Sequence, residues 1–378
     1  MKNVDIFDVL VVYNSEAARS AGDSSYKGKK PFPLELGSES YNYTYKYFLK
    51  TCREYGLQAA LTTSNDIVDN GTCKSYWLHD GKNWKKVREL CYSRHIFDKF
   101  SPTDQKKVEE RARLFSSEQI QPFNSKTLST LFADKLKTYN DLPYYSIPTV
   151  SIDSVDQVGV ERALDKLNSM VATSSFSHDF SKALILKDRF GAGGNSIFKV
   201  TDNHQKSILD LCRDNPELSF VIQPFLEFEK GYSFQGKKSA TDIRLIYQNG
   251  QMIQAYIRMA KTNDFRCNLH QGGTLIYIDP ENVPKRVVNS SEKIVSRLGK
   301  ESLFALDFAI SDRGRVYLIE GNANPGINWD PHSKEDETMS KELIVAIVEE
   351  ISNRVSKRSK FKNLKVPVAK PTEASILV

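Results

Sequence analysis

The chain has 378 residues and a net charge of +6, with 40% hydrophobic and 26% charged residues. This length predicts two or three domains, and the composition is typical of a globular protein without a membrane span or a signal-peptide layout. The five cysteines are scattered without a CxxC pair. The sequence therefore predicts free thiols in a reducing cytoplasm, and argues against a disulfide framework and a zinc site.

The positive charge is concentrated near the C-terminus. Six basic residues and no acid lie between Arg354 and Lys365, which equals the whole net charge. The rest of the chain is formally neutral, so we expect a solvated basic tail over 357–378 and no basic binding face. A contact of this tail with nucleic acid or another acidic partner stays open.

The N-terminal third has the pattern of a β-α-β unit. FDVLVVYN is an apolar run typical of a buried strand, and QAALTTSN predicts a second strand. Between them lies a predicted helix that Gly56 ends, with apolar residues at helical spacing: Tyr45, Phe48, Leu49 and Cys52. We expect residues 1–115 to form an open α/β domain, in which 64–100 are too irregular for their strands to be ordered.

Two helices are predicted next. Ser125 can cap the first, which carries a stripe of apolar residues: Leu128, Leu131, Phe132 and Leu136. VGVERALDKLNSM predicts the second through Val160, Ala163, Leu164 and Leu167. The serine-rich stretch 171–183 predicts a surface loop.

From Ala183 onward the chain is rich in predicted strands. YQNGQ predicts a hairpin, because Asn-Gly suits the positive φ angles of a type I′ turn, and DRG predicts a second hairpin. The last predicted element is a helix. Ser333 and Asp336 resemble a capping box, and five apolar residues recur every four positions, namely Met339, Leu343, Ile347, Ile351 and Val355. We expect this stripe to pack on the sheet.

A glycine-rich loop follows the predicted strand ALILK. Gly191, Gly193 and Gly194 precede SIFKV, which reads as a strand. Rossmann and Walker loops open a helix, so both are disfavoured. A hairpin with a glycine tip can bring backbone N–H groups to phosphates, and Lys187 would add a positive charge. On these residues alone, an ordinary flexible hairpin remains an equal alternative.

A second group of polar residues lies in FALDFAISDRGRVYLIEGNANPG. Asp307 and Glu320 are carboxylates in apolar strands, and Glu320 and Asn322 share one side of an extended chain. Hard oxygen ligands of this kind suit Mg²⁺. A structural ion pair remains the alternative.

Between these two segments lies AYIRMAKTNDFRCNLHQGG. It concentrates cationic and hydrogen-bonding groups: Arg258, Lys261, Arg266, Asn268 and His270. Such groups can stabilise charge on a transferring phosphoryl group. A solvated basic loop is the alternative.

In their order along the chain, these motifs resemble those of the ATP-grasp ligases, most of all the RimK-like and glutathione-synthetase-like branch. The resemblance covers about residues 116–353. It implies an α/β (α+β) ATP-grasp fold, with the N-terminal α/β domain followed by two α+β subdomains that sandwich ATP. We expect these subdomains at 116–215, with the glycine lid, and at 216–356, with the metal site.

The resemblance also implies roles for individual residues. Those matching ATP-binding positions are Lys135, Lys187, Gly191, Gly193, Gly194, Gln223, Phe225 and Asp242. Those matching the phosphate and acceptor side, where catalysis takes place, are Arg258, Arg266 and Asn268. Those matching the Mg²⁺ ligands are Asp307, Glu320 and Asn322.

The chain departs from the family pattern at four places, one of which is Cys267, where RimK-like enzymes often have serine. Pro224 has no N–H, so a hydrogen bond to adenine at the hinge must come from Phe225 or Leu226. The stretch between the hinge and DIR is longer than in the RimK pattern. This makes Glu229 an alternative to Asp242 for the contact with the ribose of ATP. KDRF replaces the usual lysine-proline, which places an extra residue, Arg189, near the phosphates.

The activity that the resemblance implies is ATP-dependent carboxylate–amine ligation. ATP would phosphorylate a small carboxylate, such as an amino acid or peptide end, and an amine would attack the acylphosphate to give an amide. The cofactors would be ATP and Mg²⁺, for which Mn²⁺ can substitute, and a homo-oligomer stays open. The alternatives are an ATP-grasp small-molecule kinase and a non-catalytic ATP-binding protein.

Overall fold

The architecture is a series of sheets covered by helices. The computed structural model describes residues 4–101, 104–191, 193–262, 264–298 and 302–359, apart from the side chains of residues 270, 358 and 359. Each of the three larger sheets is built from its own successive segment of this part of the chain. Within the same residues, no helix combines the length and the apolar character needed to cross a membrane.

The first sheet has the strand order β3-β4-β7-β1-β2-β5-β6, with β8 beside β7. Its central strand β1 is parallel to β2 and β7, and α1 buries the four apolar residues predicted for it. The β-α-β prediction is therefore confirmed. The elements of this region are β1 (Val4–Tyr13), α1 (Tyr41–Glu54), β2 (Ala59–Thr63), β3 (Ile67–Asp69), β4 (Thr72–Cys73), β5 (Tyr76–His79), β6 (Trp84–Val87), β7 (Leu90–Lys99), α2 (Gln105–Leu114) and β8 (Gln121–Pro122).

The second sheet is antiparallel and has the order β11-β10-β12-β9. Helices α5 and α6 pack on one of its faces and bury Val160, Leu167 and Ile208 against it. The elements here are α3 (Lys126–Ala133), α4 (Lys135–Asp141), β9 (Val150–Ser151), α5 (Gln157–Ala172), β10 (Phe180–Asp188), β11 (Ile197–Val200), α6 (His204–Asp214) and β12 (Phe220–Leu226). The strand predicted to follow the glycine loop is thus confirmed.

The third sheet has the order β17-β16-β15-β18-β19. Both predicted hairpins are confirmed: Asn249 and Gly250 have φ of 54° and 80° between β15 and β16, and Gly314 turns the chain between β18 and β19. The elements are the small hairpin β13 (Ser233–Phe234) and β14 (Lys237–Lys238), then β15 (Thr241–Gln248), β16 (Gln251–Met259), β17 (Thr274–Tyr277), α7 (Lys285–Val295), β18 (Leu303–Ile310), β19 (Val316–Asn322) and α8 (Lys334–Ser359).

Side chains alternate between the two faces of the third sheet. Ile243 and Leu245 face α7, whose Val287 and Ile294 are buried there. The opposite face carries Ile246, which belongs to the cluster that holds the apolar stripe of α8. The predicted packing of the last helix is therefore confirmed, as is its cap, since the backbone N–H of Asp336 donates to Ser333 Oγ at 3.2 Å.

Helix prediction was wrong at one place that matters for the site. A single helix was expected through Leu136, but α3 ends at Ala133 and α4 begins at Lys135. Asp134 between them is extended, and its carboxylate accepts hydrogen bonds from the backbone N–H groups of Leu136 and Lys137. An aspartate that caps a new helix in this way interrupts the old one.

Two boundaries also differ from prediction. The expected surface loop 171–183 is shorter, because α5 extends to Ala172 and β10 starts at Phe180. The expected tail starts later than residue 357, because α8 continues to Ser359; Arg354 lies inside this helix and bonds to Glu350 at 2.7 Å. The rest of the predicted tail, 360–378, lies outside the described residues.

Candidate active site

Two adjoining cavities lie between the second and third sheets. The smaller has a volume of about 80 Å³, and the larger, of about 470 Å³, extends toward the first sheet and the start of α8. Asn268 lines both. Of the predicted site residues, the smaller cavity is lined by Lys187, Gln223, Phe225, Asp242 and Arg266, and the larger by Gly191, Gly193, Arg258, Glu320 and Asn322.

The smaller cavity is mainly apolar. Its walls come from both sheets and from Phe265, whose ring meets that of Phe225 edge-on at a centroid distance of 5.5 Å. Gln223 is buried and its side-chain amide donates to Thr149 Oγ1 at 2.8 Å, which fixes its orientation. An apolar slot with a few fixed polar groups at one end is suited to a flat heterocycle. Glu229, the rival of Asp242, is exposed and lines neither cavity.

The two lysines predicted to bind phosphates are close enough for their charges to interact. Lys187 is buried near the end of β10, and burial lowers its pKa to about 8, with the nearby charge of Lys135 adding to the effect and Glu320 opposing it. Lys135, the first residue of α4, donates from Nζ to the carbonyl of Gly191. The ammonium of Lys135 thus contacts the loop, and its charge acts on Lys187.

The glycine loop closely approaches the residue that both cavities share. Gly194 has a φ of 78°, and a Cβ there would lie 2.7 Å from Asn268 Oδ1. Glycine is therefore required on steric and conformational grounds. Arg189, expected near the phosphates, lines neither cavity; its guanidinium binds the carboxylate of Asp134.

Four charged side chains form a buried network on the inner face of the third sheet. Arg244 donates to both oxygens of Asp307 at 2.6 and 2.5 Å. Arg258 donates to both oxygens of Asp242, each at 2.7 Å, and to Asp307 Oδ2 at 2.6 Å. Burial alone would raise the pKa of Asp307, but the charges of the two arginines outweigh this and lower it. Burial, together with the charge of Asp307, instead raises the pKa of Asp242 despite its contact with Arg258. With both carboxylates ionised, the network is formally neutral.

Glu320 and Asn322 differ from this network because they face the larger cavity. Asp307 lies opposite Glu320 in the pairing of β18 with β19, so the two carboxylates are neighbours. Asn322 Oδ1 accepts a hydrogen bond from the backbone of Asn324 at 2.7 Å. Among the described residues, the side chain of Glu320 makes no hydrogen bond or ion pair, and no cluster of three or more His, Cys, Asp or Glu residues has the arrangement of a metal site.

The residues predicted to be catalytic are not all in one place. Arg258 and Asn268 line the larger cavity, whereas Arg266 lines only the smaller one and bonds to Asp264 at 3.2 and 3.0 Å. Lys261 is exposed, and the side chain of His270 lies outside the described residues. Arg258 thus lines the larger cavity, as does Arg244.

Sequence reasoning missed several residues that line the larger cavity, which are together called the far wall below. This wall consists of Ser40, Tyr41, Ser101, Tyr256, Tyr277, Trp329, Asp330 and Asp336. Tyr277 donates to Asp336 Oδ1 at 2.6 Å and so ties β17 to α8. The alternation of β16 could have revealed Tyr256, which lies two residues from Arg258 on the same face. Nothing local indicates that Tyr41 or Ser101 belongs to the site.

The loop after β19 is held by residues from before the second sheet. Lys99 Nζ donates to the carbonyl of Pro325 at 2.8 Å. The amide of Asn124 donates to the carbonyls of Leu303 and Ala323, at 2.7 Å and 2.5 Å, and accepts from the N–H of Leu303 at 2.7 Å. The loop that follows Asn322 is therefore fixed from outside its own sheet.

Comparison with known proteins agrees with this geometry. Residues 167–319 match the family model of the ATP-grasp domain of prokaryotic glutathione synthetase. This match supports an ATP-grasp ligase. The matched segment contains Lys187, Asp242, Arg258 and Asp307, but neither Lys135 nor Glu320.

Curated relatives support the RimK-like and glutathione-synthetase-like branch of ligases, and solved structures support the fold. A probable alpha-L-glutamate ligase of Shewanella denitrificans is 27% identical over 216 residues, which are 53% of this chain and 69% of that protein. One from Aeromonas salmonicida is 26% identical over 226 residues, 56% of this chain and 71% of that protein. The fold resembles that of the D-alanine–D-alanine ligase from Bacillus anthracis complexed with ATP, with a TM-score of 0.55, 15% identity and coverage of 93% and 99% of the two chains.

These comparisons place the chain among the ATP-dependent carboxylate–amine ligases, enzymes that form C–N bonds. Ligases with this fold use ATP and Mg²⁺. The predicted fold class is therefore confirmed, and so is the predicted type of reaction. The predicted domain boundaries and the roles of individual residues stay predictions.

Proposed function

We propose that the two cavities bind ATP and an acyl substrate end to end, so that the ligase forms an amide through an acylphosphate. The observation that carries this proposal is the order of groups along the cavities. The apolar slot is lined by Gln223, Phe225 and Lys187, and the adjoining larger cavity by the glycine loop, Glu320 and Asn322. ATP has the same sequence of parts, a flat base followed by phosphates and their metal ion.

In this proposal the adenine occupies the smaller cavity. The apolar walls and the Phe225–Phe265 pair supply contact area for the ring, while Gln223 and Asp242 supply polar contacts at its edges. Lys135, Lys187 and the backbone N–H groups of Gly191, Gly193 and Gly194 then neutralise the phosphates. The contact of Lys135 with the Gly191 carbonyl would be exchanged for a phosphate oxygen.

The residues near the phosphates also suit a magnesium ion. Glu320 is open to the cavity with no other side-chain partner among the described residues, and Asn322 adds an amide oxygen. Asp307 Oδ1 accepts one hydrogen bond, from Arg244, and a carboxylate oxygen can accept two. We propose that these three residues hold Mg²⁺, or Mn²⁺ in its place; the bound ion would neutralise charge on the transferring phosphoryl group.

The charges around the cavities then indicate how the proposed reaction proceeds. An oxygen of the substrate carboxylate attacks the γ-phosphorus and breaks its bond to the β-phosphate oxygen, giving an acylphosphate and ADP. Arg258, held against Asp242 and Asp307, and Asn268 stabilise the negative charge at this end of the cavity. A neutral amine next attacks the acyl carbon, inorganic phosphate leaves, and the amine loses a proton. Arg266 is a candidate for the ATP side, because it lines the smaller cavity.

The far wall of the larger cavity would select the substrates. It is lined by aromatic rings and hydroxyl groups, with two carboxylates at the start of α8. The relatives named as probable alpha-L-glutamate ligases support an amino acid, or the end of a peptide, as one of the substrates. ATP, a small carboxylate and an amine are thus the proposed partners of this enzyme.

The experiment that tests this proposal is ADP release across a panel of carboxylates crossed with amines, with detection of the product by mass spectrometry. A ligase gives an amide, ADP and phosphate only when both substrates are present. A phosphorylated alcohol without an amide would indicate a kinase, and ATP binding without ADP release would indicate a binding protein. Unchanged turnover in Glu320→Ala would contradict the assignment of the metal site.

A further inference from the structure

The ion pair between Arg189 and Asp134 links two segments that carry the phosphate-binding lysines. Arg189 Nε donates to Asp134 Oδ1 at 2.8 Å, and Nη2 donates to Oδ2 at 2.6 Å. This two-bond geometry defines the distance and the angle between the partners, and the Asp134 side chain is only 15% exposed. Such a pair constrains both backbones to which it is attached.

Asp134 lies at the point where α3 ends and α4 begins. Its carboxylate also accepts from the backbone N–H groups of Leu136 at 2.9 Å and Lys137 at 3.2 Å. Lys135 is therefore the first residue of a helix whose start is determined by this carboxylate. A change in the position of Asp134 moves Lys135 with it.

Arg189 follows β10 directly, two residues after Lys187 and two before Gly191. Its backbone N–H donates to the carbonyl of Ser219 at 2.6 Å, and its carbonyl accepts from the N–H of Lys135 at 3.1 Å. One residue thus joins the end of β10, the chain before β12 and the start of α4. The ammonium of Lys135 reaches the Gly191 carbonyl from this position.

We propose that Arg189 and Asp134 are positioning residues, which hold the ammonium groups of Lys135 and Lys187 in a fixed relation for binding the phosphates of ATP. The two lysines repel each other, because both are positive and close. Without a fixed frame, this repulsion favours their separation in the absence of ATP. The inference rests on the proposed binding of ATP phosphates by both lysines, and assigns no contact of Arg189 with ATP itself.

The test is a double-mutant cycle with Arg189→Gln and Asp134→Asn. Asparagine keeps an oxygen that can cap α4 and removes only the charge, so the helix start is retained. We expect each single variant to raise the KM for ATP about tenfold, with little change in the KM values of the carboxylate and the amine. Because the residues act as one unit, the double variant should be no worse than either single one. Arg189→Lys should restore part of the loss.

The matched control is Lys137→Ala, which removes an exposed ion pair with Asp141 from the same helix. We expect it to leave the KM for ATP unchanged. Direct measurement of ATP binding by calorimetry separates the two levels of the proposal. No binding by the unaltered chain would contradict the proposed function, whereas normal binding and an unchanged KM in Arg189→Gln, even with lower thermal stability, would overturn the positioning role alone.

Discussion

The buried network of Asp242, Arg244, Arg258 and Asp307 and the open pair of Glu320 and Asn322 lie on the same sheet, yet they differ in hydrogen bonding. In the network, each carboxylate oxygen already accepts from an arginine. Glu320 faces the larger cavity without such a partner among the described residues. The difference indicates that the network charges mainly bind one another, with Asp307 also a proposed metal ligand, whereas Glu320 is available to a ligand.

The largest expected effect is on the network. Asp307→Asn removes the charge shared by Arg244 and Arg258 and leaves a buried cation without full compensation. We expect a loss of about 3–5 kcal/mol in the free energy of unfolding, measured by urea denaturation. Lys137→Ala, on the surface, should give no measurable change. An unchanged unfolding midpoint in Asp307→Asn would contradict a structural role for the network.

For Glu320→Gln we expect an effect that is smaller in free energy and that changes activity but not stability. Turnover should fall about 100-fold or more, because a proposed ligand of the metal loses its charge, while the unfolding midpoint stays the same. The activity should recover in part at higher Mg²⁺ concentration. Glu217→Gln, at an exposed position, is the control. If Glu320→Gln instead unfolded more easily with normal turnover, the contrast between the two regions would be reversed.

The pH dependence of ATP binding tests the role of a buried cation, Lys187. Burial lowers the pKa of Lys187 to about 8, so the free enzyme loses this charge above that pH. Phosphates favour the charged form, and binding must then take up a proton. We expect the Kd for ATP to rise up to about tenfold per pH unit above the pKa, measured by calorimetry up to about pH 9.5. Lys187→Arg should flatten this slope; an equal slope in both proteins would exclude Lys187 as its source.

The smallest expected effect concerns the far wall of the cavity. Tyr277→Phe removes the hydroxyl that donates to Asp336 and leaves the ring in place. We expect the KM of the carboxylate or the amine to rise about threefold to tenfold, and the KM for ATP to stay the same. A change in the KM for ATP alone would place this wall on the nucleotide side.

Sequence reasoning succeeded where the signal is local. Asn249 and Gly250 specify their own turn, and the alternation around Asp307 and Glu320 fixes which side chains face inward. It failed at Asp134, because the partner that holds this residue, Arg189, is 55 positions away. The contribution of Tyr41 and Ser101 was likewise missed, since only the packing of the first sheet against the third brings them to the cavity.

The contacts of Lys99 and Asn124 have a consequence for exchanging parts between related ligases. The carbonyl of Pro325, just beyond the proposed metal ligands, is bound by Lys99, whereas Asn124 binds the carbonyl of Ala323 and the start of β18 at Leu303. A chimera joined at residue 115 would keep Asn124 with its own partners and bring a foreign side chain to Pro325. The segment before residue 115 is therefore not a neutral part for recombination: a donor segment must carry a cation at the position of Lys99, or the junction must be moved ahead of it.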